Sequence, residues 1–182
     1  MTEISSFRET PQTLPEIERQ FVVTSLPPEI TSKIERAEAE GTGYTDIEQG
    51  YLPNKGARIR KKIAPDGSIV GYEWAEKTKH EETGNVLRDE TQADLTEEEF
   101  NGLWPLTVGR RVSKRRFDIP LGDLNIELDA FKHNLAGHML AEIEFPTLKR
   151  ATEFAPLPWF RRDVTKEFSN RKLAKGEPFP QP

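Results

Sequence analysis

The chain has 182 residues, with 31 acidic and 26 basic side chains, a net charge of −5, 35% hydrophobic residues and no cysteine. That length suits one domain with its own core, while the composition excludes disulfide and thiolate chemistry and gives no overall basic surface for general nucleic-acid binding. Three histidines make zinc a poor expectation, and with no signal-peptide pattern and no run near the ~20 apolar residues that span a bilayer, the expected location is the cytoplasm.

Residues 1–14 are polar and aperiodic and are expected to form a flexible arm, residues 15–175 a single domain, and residues 176–182, GEPFPQP, a flexible tail. Extended segments bounded by Gly, Pro and Asn are predicted over 16–24, 44–51, 57–63, 69–80, 86–95, 109–119, 124–131 and 138–145. Eight strands in antiparallel-looking succession suggest a closed or nearly closed sheet. Helices are predicted in PPEITSKIERAEA, where Ile30, Ile34 and Ala37 recur at helical spacing behind two prolines, and in TEEEFNGLW, where Thr96 and Glu99 form a capping-box pair. Two more are predicted over 147–154 and 169–174, giving a β-dominant α+β fold.

Alternate residues of a strand share a face, and most of these strands carry charge on one. Glu16, Glu18 and Gln20 lie together, as do Arg58, Arg60 and Lys62; Glu73, Lys77 and Lys79; Arg88, Glu90 and Gln92; and Lys114, Arg116 and Asp118. Glu127 pairs with Asp129 in the same way, and Glu142 with Glu144. An ordinary half-buried sheet with a solvated face gives the same alternation. The signs are sorted, however: carboxylates gather on the first and last two strands and bases on the middle ones. A polyphosphate with a divalent cation needs that division, bases for its oxygens and carboxylates for a hard ion such as Mg²⁺. In a closed eight-stranded sheet these faces would line a narrow lumen, where so many ions require partners.

Taken in order, these segments resemble the CYTH domain, or triphosphate tunnel metalloenzyme, family over about residues 16–175. The family's E-x-E-x-K appears as Glu16-Ile17-Glu18-Arg19-Gln20, its basic strand as Arg58-Ile59-Arg60, and its T-x-K strand is similar to Lys77-Thr78-Lys79. Further matches are Arg88-Asp89-Glu90, Lys114-Arg115-Arg116, Leu128-Asp129 and Glu142-Ile143-Glu144, with Asp163-Val164-Thr165, Asn170 and Leu173-Ala174 at the end. The resemblance implies an eight-stranded antiparallel tunnel that binds a triphosphate-containing small molecule and cleaves or rearranges it with Mg²⁺ or Mn²⁺. It assigns metal binding to Glu16, Glu18, Asp129, Glu142 and Glu144, and the triphosphate channel to Arg58, Arg60, Lys79, Arg88, Lys114 and Arg116. Lys62, Lys77, Glu90 and Glu127 are supported by alternation more than by the motifs.

Glu144, Glu18, Arg60 and Lys114 are the catalytic candidates, for hydrolysis of inorganic triphosphate to phosphate and diphosphate. The family also contains class IV adenylyl cyclases, thiamine triphosphatases and RNA 5′-triphosphatases; no extra segment for a base or a long RNA stands out here. No membrane or specific nucleic-acid partner is expected, and a homodimer is left open. One departure matters. Gln20 replaces the motif lysine, and Arg19 cannot substitute because alternation turns it to the other face. A neutral amide hydrogen-bonds but supplies no charge and is a poor base, so a binding module without turnover is a rival. His80, His133 and His138 are expected at the surface, and Trp104, Phe154, Trp159 and Phe160 against the outside of the barrel.

Overall fold

A computed structural model describes residues 11–53, 57–80 and 84–182. Strands β1 (Gln12–Val23), β2 (Tyr44–Tyr51), β3 (Arg58–Ile63), β4 (Ile69–His80), β5 (Gly84–Leu95), β6 (Arg111–Leu121), β7 (Leu124–Phe131) and β8 (Met139–Glu144) follow the order β5-β4-β3-β2-β6-β7-β8-β1, and β1 returns to pair with β5. The eight strands close into an antiparallel barrel.

Closure depends on the length of β1. Its first half, Gln12–Ile17, pairs with β5, whereas Glu18–Val23 pair with β8 on the opposite edge. A ninth strand, β9 (Phe160–Asp163), adds to β1 beyond the point where β5 leaves it. At four residues β9 is too short to show a period in sequence. The arm expected over 1–14 is corrected in part: Gln12–Leu14 form ladder pairs with Gln92–Glu90, because extended backbone needs partners more than it needs apolar side chains. Residues 1–10 lie outside the described residues.

Alternation sets two environments. Outward residues of β1 and its neighbours, Phe21, Val23, Phe117, Ile119, Ile126, Leu128, Ala141 and Ile143, form a core on the outside of the barrel. Helix α1 (Pro28–Glu40) lies on it through Ile30, Ile34 and Ala37, started by Pro28 and stopped by Gly41 in the left-handed region at φ 60. Phe154, Trp159 and Phe160 join the same cluster, with α3 (Leu148–Glu153) contributing Ala151. On the far side α2 (Glu97–Leu103), started by the Thr96–Glu99 capping box, sets Phe100 over Ile59, Leu52 and Leu95 beside Trp104.

One barrel mouth is sealed. Inward residues Val22, Tyr51, Val112, Phe131 and Leu140 meet Val164, Phe168, Leu173, Ala174 and Phe179 from the C-terminal segment, whose helix α4 (Asn170–Ala174) begins on a Ser169 cap. The expectation of a loose tail over 176–182 is corrected at Phe179, which is 6% exposed, stacks on His138 at 4.4 Å and meets Phe131 edge-on at 5.6 Å. An isolated phenylalanine among prolines carries no periodicity, so its docking was not visible in the sequence.

Candidate active site

Sheet order makes the sorted charges contiguous. Strands β7, β8 and β1 are neighbours, so Glu127, Asp129, Glu142, Glu18 and Glu16 form an acidic arc, while the other strands supply the bases. Glu18, Gln20, Arg60, Arg88, Lys114, Arg116, Asp129 and Glu142 are all buried.

The lumen is held by ion pairs across the arcs. Lys77 pairs with Glu16, reaches Glu18 Oε2 at 3.1 Å and approaches Glu90 Oε2 at 3.5 Å. Arg88 contacts Glu18 Oε1 at 3.0 Å, and Arg58 contacts Glu90. Arg116 forks onto Asp129 with two bonds of 2.7 Å, reaches Glu142 Oε2 at 2.7 Å and pairs with Glu127; Lys114 also holds Asp129. Lys62 pairs with Glu73, and Arg60 donates to Gln49 Oε1 at 3.0 Å, whose amide donates to the Tyr51 hydroxyl. Gln49 and Tyr51 escaped the sequence pattern because neither is charged. The Lys79 side chain lies outside the described residues, as does that of His80. Glu144 stands exposed at the open rim, lining with Glu16, Glu90 and Gln92 a cavity of about 210 Å³.

Gln20 joins the acids that its neighbours hold. Its Nε2 donates to Glu18 Oε1 at 3.1 Å and Glu142 Oε1 at 3.0 Å. Arg19, on the opposite face, pairs with Asp163 at 2.6 Å and donates to the Ala151 and Phe154 carbonyls. Asp163 also accepts from the Thr165 amide and hydroxyl, and the Thr165 oxygen accepts from the Gln20 amide at 2.9 Å. The Asp-Val-Thr motif thus fixes β1 at the point where its inward face carries Glu18 and Gln20.

Burial and crowding shift the ionisations in opposite directions. Glu16 is pushed up to about 8 by burial and then by Glu18, with Lys77 opposing. Burial would raise Glu90 as well, but Arg58 and Lys77 outweigh it and hold that carboxyl at about 2. Lys114 and Arg116 likewise overcome the burial of Glu142 and keep it well below the carboxylate range. Glu127 is raised, chiefly by burial. Lys114 is lowered by burial and by Arg116, and Arg60 falls to about 10 through burial, Arg58 and Arg116.

Among the described residues no three acids or histidines stand close enough to hold a metal ion; the carboxylates are linked through bases instead. The donor set itself, hard carboxylate oxygens on adjacent strands with Glu16 crowded by Glu18, fits a hard divalent cation. At the sealed end lies a cavity of about 150 Å³ whose lining includes Glu18, Gln20, Arg58, Lys77, Arg88 and Glu142 with Asn170 and Arg171 from the plug. Among its lining residues, Gln20 Oε1, Arg58 Nε, Asn170 Oδ1 and Arg171 Nε are buried atoms without a hydrogen-bond partner. Arg171 carried no sequence signal, since its position depends on how the tail docks.

Fold and lumen together define the class: a closed antiparallel β-barrel with an ionic interior and one sealed mouth. No protein-family model matches the sequence. The chain is 34% identical over 168 residues to an inorganic triphosphatase of Nitrosomonas europaea, a match covering 90% of this chain and 99% of that protein. A crystal structure of a hypothetical protein superposes with TM-score 0.56 at 30% identity, covering 90% of this chain and 99% of the other. A crystal structure of an inorganic triphosphatase gives TM-score 0.55 at 29% identity, covering 90% and 97%. The chain belongs to the CYTH, or triphosphate tunnel metalloenzyme, family.

Proposed function

We propose that the protein hydrolyses inorganic triphosphate to phosphate and diphosphate with Mg²⁺ or Mn²⁺. The observation that carries this is the cavity at the sealed end, where Arg58 and Arg171 have buried donors without acceptors beside Lys77 and Arg88. Buried donors of this kind call for an anion, and Arg is suited to phosphate oxygens. The closed mouth favours a substrate without a bulky group at its inner end.

Arg58, Arg60, Lys62, Lys77, Arg88, Lys114 and Arg116 would neutralise the phosphate oxygens as charge moves onto the leaving diphosphate; Lys79 belongs to this set by motif. Glu16, Glu18, Asp129, Glu142 and Glu144 would hold the divalent ion, which when bound offsets phosphate charge and orients the chain of phosphates. Before substrate binds, each of these bases whose side chain is described is engaged by a carboxylate, so the lumen's charges are positioned in advance and the reaction requires exchange of partners rather than their recruitment. The protein's part in phosphoryl transfer is largely positioning and charge stabilisation.

Phosphate release from inorganic triphosphate with Mg²⁺ tests this, with Glu18→Ala and Arg60→Ala expected to lose about 10²-fold or more in kcat/KM. Unchanged turnover in both variants defeats the assignment. ATP in the same assay, read for cyclic AMP, separates a cyclase. Gln20 favours one other reading, a triphosphate binder without turnover, which affinity without phosphate release would establish.

A further inference from the structure

We propose that Gln20 holds the attacking water through its side-chain oxygen, a role that rests on the triphosphatase reading above. Gln20 is 4% exposed, and its backbone is fixed on both sides: its amide donates to Thr165 Oγ1 at 2.9 Å and its carbonyl accepts from the Val164 amide at 2.9 Å. The side-chain amide has one orientation compatible with its neighbours. Both partners of Nε2 are carboxylates that also take ion pairs, Glu18 from Lys77 and Arg88 and Glu142 from Arg116, so both present only acceptors to the amide. Turning the amide over would set oxygen against oxygen twice. Oε1 is thereby left buried with no donor.

A phosphate chain cannot answer that oxygen. Ionised phosphate oxygens are acceptors; they suit Arg58 and Arg171 but leave Gln20 Oε1 and the second orphan acceptor among the residues lining that cavity, Asn170 Oδ1, unpaired. Both need a donor, and hydrolysis brings one, the water itself. Accepting one water hydrogen, Oε1 turns a water lone pair toward the terminal phosphorus without taking the proton, which an amide cannot do at neutral pH. The water oxygen bonds to phosphorus as the bond from phosphorus to the bridging oxygen breaks. The bond's electrons leave with diphosphate, one water hydrogen stays on the new phosphate, and the other passes to the diphosphate or solvent.

Two variants test the role. Gln20→Lys keeps N–H donors toward Glu18 and Glu142 but, as an ammonium, has no acceptor; Gln20→Met has neither. Both should lose about 10-fold or more in kcat on inorganic triphosphate with Mg²⁺ at neutral pH, while KM and the half-saturating Mg²⁺ concentration rise by no more than about threefold. Calorimetric affinity for triphosphate without divalent ion should not weaken. A Gln20→Lys variant as fast as wild type overturns the proposal, since the amide would then act only as a bridge between carboxylates. So does a loss recovered at high Mg²⁺, which would make Oε1 a metal ligand. These failures leave wild-type turnover intact; a wild type that binds triphosphate and releases no phosphate ends the triphosphatase reading and this one together. If a thermal melt shows Gln20→Met unfolded, Gln20→Lys decides alone.

Discussion

Replacing Asp129 by Asn should destabilise the protein by about 3–4 kcal/mol and, unusually for a lumen residue, triphosphate should recover part of the loss. Asp129 and Lys114 are both 0% exposed at their side chains, and Asp129 is the carboxylate that Lys114 contacts directly. Arg116 loses its fork on Asp129 but keeps Glu142 and Glu127. The penalty therefore falls mainly on Lys114, which is already lowered by burial and by Arg116. It can escape by losing its proton. From an ordinary value of 10.5, doing so at about pH 7.5 costs no more than about 4 kcal/mol, at roughly 1.4 kcal/mol per pKa unit. For a chain of this size that corresponds to a Tm lower by about 6–16 °C. The assay is a thermal melt in chelator, which removes any contribution from metal, with and without inorganic triphosphate. Triphosphate should raise the Tm of Asp129→Asn more than that of wild type, because the freed ammonium gains an anionic partner. A fall under about 2 °C, or a smaller ligand shift in the variant, would refute a buried, pre-paired Lys114 and Asp129.

Other consequences follow from the same geometry. Glu16 keeps its proton in the folded state up to about 8, whereas the unfolded chain releases it near 4.5; the folded state therefore binds more protons between those values, and the chelated protein should lose stability as pH rises through that window. Denaturant midpoints at about pH 5.5 and 8.5 check this, and Glu16→Gln should flatten the difference. Phe179→Ala should lower stability by about 2–4 kcal/mol by emptying the plug where Phe131, Phe168 and His138 meet it, read by denaturant melts. Gly50→Ala should cost about 1–3 kcal/mol, since a Cβ there would stand 2.6 Å from the Thr107 side chain; Thr107→Ala in the same chain should return part of it.

Strand alternation in the sequence located the barrel because most inward strand faces carry charge and most outward faces apolar residues, a contrast visible even in the six residues Arg58–Ile63, where Lys61 alone interrupts the outward face. The same contrast placed Glu18, Arg60, Lys114, Arg116 and Asp129 on one lumen, and it turned Arg19 outward. Alternation has no means of reporting pairs across strands. That Lys77 serves three carboxylates depends on β4, β5 and β1 meeting at closure, and that Glu16 meets a second acid besides its strand neighbour Glu18 depends on Glu90 arriving from β5. Uncharged Gln49 and Tyr51 were passed over for want of a signal, although they carry the link from Arg60 toward the sealed end. The docked tail was missed because Phe179 packs on Phe131 and His138, far back in the chain, as well as on Phe168.

The double duty of β1 has a consequence for how the protein is made. Synthesised before all of its partners, it must wait for Gly84–Leu95, then Met139–Glu144, and last Phe160–Asp163 before both its edges are covered. Until Phe160–Asp163 has been synthesised, the growing sheet has open hydrogen-bonding edges and its ionic face has no enclosure. Assembly is thus dominated by long-range contacts and ends with a strand made before all of its partners. Losing that strand would leave a curled sheet with two sticky margins rather than a smaller tunnel.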